Sequence, residues 1–181
     1  MKKSLFLLCS LVIITWLTSC SNASNDPITH VPFKEAKDGK WGMIAMDGKV
    51  LFKEEFKQMP TVVRDNRFFV KNKSGFWEMY DASEQPKKIG DEYKHVSIFN
   101  GGHALVSKRN EPVSIIDTDG KTVKVLDKIE GKTVNGVYAF PEDYAVFMTN
   151  DSLYGAIDYN GNCVIKPHYC SMFACSDGKF I

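Results

Sequence analysis

The sequence WGMIAMDGKV at residues 41–50 returns as YGAIDYNGNC at residues 154–163. A more worn copy, VSIIDTDGKT, occupies residues 113–122, and the weakest copy, FWEMYD, occupies residues 76–81. The first position of the copies falls at 41, 76, 113 and 154, in steps of 35, 37 and 41 residues. Self-similarity at this spacing is typical of small structural units that gain stability by stacking on their neighbours. The sequence therefore predicts about four repeated units.

Each unit has the sequence pattern of a β-hairpin. Apolar-rich arms flank the pairs Asp47-Gly48, Asp119-Gly120 and Asn160-Gly161, and such pairs fit the two positive-φ positions of a tight hairpin turn. After each hairpin comes a run rich in β-branched and aromatic residues, at residues 67–71, 103–107 and 144–148, which we interpret as the third strand of the unit. We expect an all-β fold of three-stranded β-meander units that form a small propeller-like ring or a curved β array after an N-terminal signal peptide.

A large aromatic ring opens three of the copies, as Trp41, as Phe76 with Trp77 beside it, and as Tyr154. A ring at a fixed place in every unit can fill the gap between successive sheets, and the glycine that follows Trp41 and Tyr154 lets a neighbouring strand approach closely. We interpret these residues as repeat-core aromatics. The alternative is a set of exposed rings that serve as a platform for a ligand.

The first and fourth copies resemble the WG-containing repeat family of bacterial proteins. That family's unit is similar to Trp-Gly-hydrophobic-Ile-Asp, a turn with glycine, an apolar pair, a proline and a tyrosine, and the sequence IKPHY at residues 165–169 continues the match after the fourth copy. The resemblance covers residues 38–181. It implies a β-rich repeat array, frequent in exported or surface-attached proteins, with no established catalytic residues to transfer.

The N-terminus has the pattern of an export signal. Lys2 and Lys3 precede an apolar run over residues 5–17, which is shorter than the roughly 20 apolar residues that span a bilayer. The sequence LTSC at residues 17–20 is similar to the lipobox of bacterial lipoproteins. That resemblance implies cleavage before Cys20 and acylation of its thiol and of the new amino group. A serine after the cysteine, as at Ser21, usually accompanies delivery to the outer membrane. A plain secretory signal and a retained transmembrane anchor are the alternatives.

These patterns divide the chain into a lipoprotein signal peptide at residues 1–19, the lipidated cysteine with a flexible linker at residues 20–29, and a β-repeat domain at residues 30–181. We expect an exported protein that is lipid-anchored to the bacterial outer membrane.

The two ends of the repeat domain differ in their strands. Residues 31–36 stand before Trp41 at the same distance as Leu105 before Val113, so they occupy the position of a third strand. The last unit stops at residues 179–181, where its own third strand would begin. One strand is therefore spare and one is short, and we hypothesise that the N-terminal strand pairs near the last unit and closes the array. An array that ends open is the competing account.

Charge and composition limit the classes of molecule that the chain is expected to bind. The chain has 181 residues, of which 44% are hydrophobic, as in an ordinary globular protein, and its 23 Lys and Arg nearly balance its 22 Asp and Glu. This balance offers no basic field for nucleic acid. We expect a membrane lipid contact through acylated Cys20 and an envelope protein or glycan as partner.

No catalytic residue, metal site or cofactor site is predicted. The four histidines fall at unrelated repeat positions, and the sequence has no phosphate-binding glycine loop and no nucleophile elbow. The expected function is non-catalytic binding on an extended repeat surface. The alternative is a hydrolase of envelope or extracellular polysaccharide, with acids such as Glu142 and Asp143 in the variable loops 81–92 and 127–143.

Two sets of side chains could bind a metal ion. Cys163, Cys170 and Cys175 could remain free thiols, form one disulfide, or bind zinc together with His168, although their spacing is not that of a structural zinc site. The turn residues could supply oxygen ligands to calcium, but their spacing does not match a calcium loop and turn chemistry accounts for them. They are Asp47, Asp117, Asp119, Asp158 and Asn160.

Overall fold

The computed structural model describes residues 27–138 and 143–173. Strands and turns build this part of the chain, and it contains no helix. The predicted signal peptide, Cys20, Cys175 and the last residues of the chain lie outside it. The strands are β1 (His30–Phe33), β2 (Trp41–Ala45), β3 (Val50–Phe56), β4 (Arg67–Lys71), β5 (Trp77–Asp81), β6 (Lys88–Tyr93), β7 (His95–Val96), β8 (His103–Ser107), β9 (Ser114–Asp117), β10 (Thr122–Val125), β11 (Lys128–Ile129), β12 (Lys132–Val137), β13 (Tyr144–Thr149), β14 (Tyr154–Asp158) and β15 (Cys163–Tyr169).

These strands form four small antiparallel sheets. The strand orders are β1-β2-β3 in the first sheet, β4-β5-β6 in the second, β10-β9-β8-β7 in the third and β11-β12-β13-β14-β15 in the fourth. Every sheet contains the same three-stranded meander, namely β1–β3, β4–β6, β8–β10 or β13–β15. The all-β fold of about four repeated units in a curved array, predicted from the sequence, is confirmed.

The four meanders share one register. The residue that opens each meander lies opposite the residue that ends the next strand, in the pairs His30 with Ala45, Arg67 with Asp81, His103 with Asp117, and Tyr144 with Asp158. This register places Trp77, and not Phe76, in the position of Trp41 and Tyr154. The corrected first positions are 41, 77, 113 and 154, in steps of 36, 36 and 41. The sequence alignment was off by one residue because the second copy lacks the glycine turn that marks the register elsewhere.

The segments predicted as third strands are strands, but each begins the following meander. The turn that joins β4 to β5 is short, with Asn72 N donating to Phe76 O at 2.8 Å and Gly75 N donating to Asn72 O at 3.0 Å. The chain between β3 and β4 is longer, covering residues 57–66. A short turn favours antiparallel pairing of the strands it joins, so β4 pairs with β5.

The strand β1 is consequently the first strand of the first meander, and it is not spare. It pairs with β2 from His30 to Phe33, and His30 also bridges to Val63. Among residues 27–138 and 143–173, the predicted pairing of the N-terminal strand near the last unit is not seen, because β1 and β15 belong to different sheets. Residues 174–181 of the last unit lie outside the described residues.

The glycine turns join the second and third strands of three meanders. In the first, Gly48 N donates to Ala45 O at 2.9 Å and Ala45 N donates to Lys49 O at 2.8 Å. Positive φ is confined to the glycines, at 90° for Gly48, 77° for Gly120 and 75° for Gly161. This is a type I turn followed by a left-handed glycine, which closes a three-residue loop. The expected pair of positive-φ residues instead occurs at Asp65-Asn66, Gly101-Gly102 and Glu130-Gly131.

The core lies between successive sheets. One cluster joins Met43 of the first sheet to Phe68 and Val70 of the second. A second cluster joins Phe69 and Met79 of the second sheet to residues of the third. A third cluster joins Leu105 and Ile115 of β8 and β9 to Ala145, Phe147 and Ile157 of β13 and β14. The middle sheets therefore bury both faces, as expected of a stacked repeat array.

Candidate functional site

The rings at the first position are half-buried, where full burial was predicted. Lys34 holds its Nζ 5.1 Å from the ring centroid of Trp41, and Lys71 holds its Nζ 5.5 Å from that of Trp77. A lysine over a tryptophan face gains a cation–π attraction and covers the ring with its aliphatic stem. The same cross-strand arrangement thus recurs in the first two units, and it leaves each lysine at the surface.

Tyr154 lies in a different setting, on the fourth sheet. Its ring stacks on that of Tyr138, with centroids 6.5 Å apart and planes at 19°, and Tyr169 lies opposite it on β15. A side-chain hydrogen bond with Tyr138 raises the pKa of Tyr154. Tyr138, Tyr169 and Phe173 are exposed. Tyr138 and Tyr169 lie outside the recurring sequence positions, which is why sequence comparison of the units did not single them out.

A groove lies between the first and second sheets. Its volume is about 480 Å³, within the usual range of ligand sites. The end of β3 and the residues after it form one wall, and β4, β5 and the turn between them form the other. We call it the lysine groove, and its lining residues are Lys40, Glu55, Phe56, Lys57, Gln58, Val70, Lys71, Asn72, Lys73, Gly75, Glu78 and Tyr80.

Positive charge predominates in the lysine groove. Its four lysines are Lys40, Lys57, Lys71 and Lys73, against the carboxylates of Glu55 and Glu78. Lys88, which lies outside the groove, already pairs with Glu78 at 2.9 Å. Within the described part of the chain no ion pair occupies the four groove lysines. The groove therefore presents more free ammonium groups than free carboxylates.

Glu78 is fixed at the groove wall by hydrogen bonds. Its Oε1 accepts bonds from Lys88 Nζ at 2.9 Å and Asn72 Nδ2 at 3.2 Å, and its Oε2 accepts one from Tyr80 Oη at 3.1 Å. Partial burial favours the neutral acid, but the hydrogen bonds from Lys88, Asn72 and Tyr80 together outweigh it and lower the pKa of Glu78. Burial raises the pKa of Tyr80, and its bond to Glu78 adds to this. Glu78 is thus an ionised structural anchor.

The carboxylates at the hairpin turns bind backbone amides. Asp117 Oδ1 accepts from the amides of Asp119 and Lys121, at 2.9 Å each, and Asp158 Oδ1 accepts in the same way from Asn160 and Asn162. In the first unit, Asp47 Oδ1 accepts from the amide of Lys49 at 2.9 Å. Residues 27–138 and 143–173 contain no group of three or more His, Cys, Asp or Glu placed to hold a metal ion.

The described cysteines are free thiols. Cys163 is half-buried and its Sγ donates to Ile165 O at 3.2 Å, whereas Cys170 is exposed. Burial raises the pKa of the Cys163 thiol, with a further contribution from Glu130. The two cysteines form no disulfide with each other, and Cys175 lies outside the described residues.

Two of the histidines pack against tyrosine rings. His103 stacks on Tyr159, with centroids 5.0 Å apart, and His168 packs edge-on against Tyr169. Residues 88–92 of the variable loop 81–92 belong to strand β6, and the loop 127–143 includes β11 and β12. Asp143 is exposed beside β13, and Glu142 lies outside the described residues.

The comparisons with known proteins identify no relative. No known family model matches the chain, and no curated protein matches it. In the portion that the structure describes, no helix is long and apolar enough to cross a membrane.

Proposed function

We propose that this chain is an exported bacterial lipoprotein, anchored to the outer membrane by acylated Cys20, whose β-repeat domain binds a protein or glycan of the envelope without catalysis. We also propose that its units are of the WG-containing type, on the resemblance at residues 39–50 and 154–169. The lysine groove is the observation that carries the binding proposal, because it combines the size of a ligand site with free polar side chains.

The tether would keep this groove near the membrane. Nine residues lie between Cys20 and His30, where β1 begins, and this segment spans at most about 35 Å when fully extended. Two or more acyl chains hold a protein stably in a membrane. A domain on so short a tether is suited to ligands within the envelope itself.

The groove chemistry favours binding over catalysis. Glycosidic hydrolysis uses a pair of carboxyl groups, one of which must be protonated to act as a general acid. Glu78 has a lowered pKa and three hydrogen-bond donors on its carboxylate, which suits it to hold Asn72 and Tyr80 in place and not to donate a proton.

The anchor is tested by metabolic labelling with palmitate. We expect the wild type and the control Cys9→Ser to incorporate the label, because Cys9 lies inside the signal peptide. Cys20→Ser is expected to lose the label and to leave the membrane fraction. Unchanged labelling of Cys20→Ser would overturn the proposed anchor.

The binding function is tested by co-sedimentation of the full-length protein, in detergent, with isolated cell-envelope fragments. We expect the double variant Lys57→Glu/Lys73→Glu to lose sedimentation, because it reverses two groove charges. The matched control is Lys94→Glu/Lys128→Glu, which makes the same charge change at exposed lysines outside the groove. Equal losses in both variants would overturn a binding role for the groove, and release of reducing sugar by the wild type would favour the hydrolase instead.

A further inference from the structure

We infer that the lysine groove binds an acidic saccharide, that is, a short stretch of glycan whose sugars carry carboxylate groups. This inference rests on the proposed binding function and names the ligand class of the same site. It follows from the charge of the groove, its dimensions and the kind of side chain that lines it.

The charge of the groove selects an anionic ligand. Four lysines line it, and of its two glutamates Glu78 is already neutralised by Lys88 at 2.9 Å. Glu55, which is exposed, carries the other lining carboxylate, so the lining lysines outnumber the free carboxylates. A cleft lined by one sign of charge concentrates ligands of the opposite sign. The chain as a whole is nearly neutral, so this excess is a local property of the groove.

The geometry places those charges where a bound chain would pass. The Nζ of Lys71 lies 5.5 Å from the ring centroid of Trp77, which packs against the cluster between the second and third sheets, so the charge of the groove comes from its other lysines. Lys73 lies in the turn that joins β4 to β5, and Asn72 Oδ1 fixes that turn by accepting the amides of Ser74 and Phe76 at 3.0 Å each. Lys57 follows the end of β3 on the opposite wall. Groove-lining lysines therefore lie on both walls.

The remaining lining favours a saccharide over an acidic peptide. Protein partners bind most strongly through apolar or aromatic anchors that fill well-packed pockets. In this groove Val70 is buried, and the rings of Phe56 and Tyr80 are half-buried against the core cluster between the first two sheets. The exposed part of the wall instead carries Gln58 and charged ends, which suit the hydroxyl and carboxylate groups of sugars.

One wall of the groove also lacks a free strand edge to which a peptide could add. The backbone of β4 bonds to the segment before it, with Thr61 N donating to Phe69 O at 3.0 Å and Phe69 N donating to Thr61 Oγ1 at 2.9 Å. The other side of β4 pairs with β5 along its whole length. Strand addition requires an unpaired edge, and β4 does not offer one here.

The test is isothermal titration of the full-length protein in detergent at about 20 mM ionic strength, where exposed charges are least screened. The probes are trigalacturonate and its fully methyl-esterified form, which has the same sugar backbone without the charges. A short peptide of glutamates represents a second source of negative charge. Vesicles of anionic phospholipid represent a third, and their binding is measured by flotation with the Cys20→Ser protein in the absence of detergent.

We expect trigalacturonate to bind and its methyl ester not to bind. Lys57→Gln/Lys73→Gln is expected to weaken binding about tenfold, whereas Lys94→Gln/Lys128→Gln leaves it unchanged. Equal affinity for acid and ester, equal losses in the two variants, or preferential binding of the peptide or the vesicles would overturn the inference. If trigalacturonate fails to bind while the charge-reversed groove variant still abolishes envelope co-sedimentation, the ligand class is wrong and the proposed function stands. If both assays are negative, both proposals fail.

Discussion

The glycine after the first-position ring is present only where a phenylalanine faces it across the sheet. Phe33 lies opposite Gly42 and Phe147 lies opposite Gly155. The corresponding pairs in the other two units are Val70 with Glu78 and Val106 with Ser114. A phenyl ring laid across the neighbouring strand fills the space of the missing side chain. The Trp-Gly and Tyr-Gly pairs therefore persist in the first and fourth units for a packing reason.

Replacing that glycine should destabilise the fold. A Cβ added at Gly42 would lie 2.5 Å from Phe33 Cε1 and 2.7 Å from Phe52 O, so we expect Gly42→Ala to cost about 1–3 kcal/mol in the free energy of unfolding. The matched control is Gly136→Ala, because no atom lies within 4 Å of a Cβ at Gly136. Urea denaturation measures both, and equal stability of the two variants would contradict this account.

A second prediction at the residue scale concerns pH. Burial lowers the pKa of His30 below its usual value of 6.5, although the nearby Asp47 opposes this. A group with a lowered pKa in the folded state binds fewer protons there than in the unfolded chain. Its contribution to stability is therefore present above about pH 6.5 and is lost as the pH falls below that value.

His30→Gln should flatten this dependence. We expect the loss of stability between about pH 7 and pH 5 to be smaller in the variant than in the wild type, as measured by thermal unfolding at each pH. His95→Gln serves as the control because His95 is exposed. A wild-type slope in His30→Gln would show that other groups cause the dependence.

Each hairpin depends on a carboxylate as well as on its glycine. Asp117 accepts two backbone amides within the turn that joins β9 to β10, whereas Asp119 in the same turn makes only an exposed contact, with its carboxylate 3.8 Å from Lys121 Nζ. We expect Asp117→Ala to lower the free energy of unfolding by about 1–2 kcal/mol and Asp119→Ala to change it by less than about 0.5 kcal/mol. Chemical denaturation of the two variants checks this, and the reverse order would contradict it.

The strands could be predicted from the sequence, but their partners could not. Apolar and β-branched runs identified β4, β8 and β13, and glycine pairs identified three hairpins. Which hairpin a strand joins depends on the relative lengths of the connections, and the turn at residues 72–76, which has the left-handed glycine and the hydrogen bonds of the glycine turns, joins the first two strands of its unit and not the last two. The lysine groove could not be predicted from the sequence for a related reason. Lys57 and Lys73 lie in connections that differ between the units, so comparing the copies could not reveal them.

At the scale of the whole molecule, equivalent contacts link the second sheet to the third and the third sheet to the fourth. Arg67 Nε, at the start of the second meander, donates to Thr118 O in the turn of the third at 2.6 Å. His103 occupies the equivalent place in the third meander, and it stacks on Tyr159 in the turn of the fourth. The first residue of one unit therefore contacts the hairpin turn of the following unit, one residue after its carboxylate. The same contact at these two junctions runs from each unit to the one that follows it in the sequence.

The coupling between neighbouring units predicts how far the effect of a single substitution spreads along the array. Tyr159 accepts a hydrogen bond from Asn100 Nδ2 at 2.9 Å and packs against Gly101 and His103. In a repeat array each unit contacts chiefly its neighbours. We expect Tyr159→Ala to speed amide hydrogen exchange in the third and fourth sheets and to leave the first sheet at the wild-type rate. Because Tyr159→Phe keeps the stacked ring and loses only the hydroxyl, it should give a smaller change of the same pattern. Equal acceleration in all four sheets would instead indicate that the domain unfolds as one cooperative unit without nearest-neighbour order.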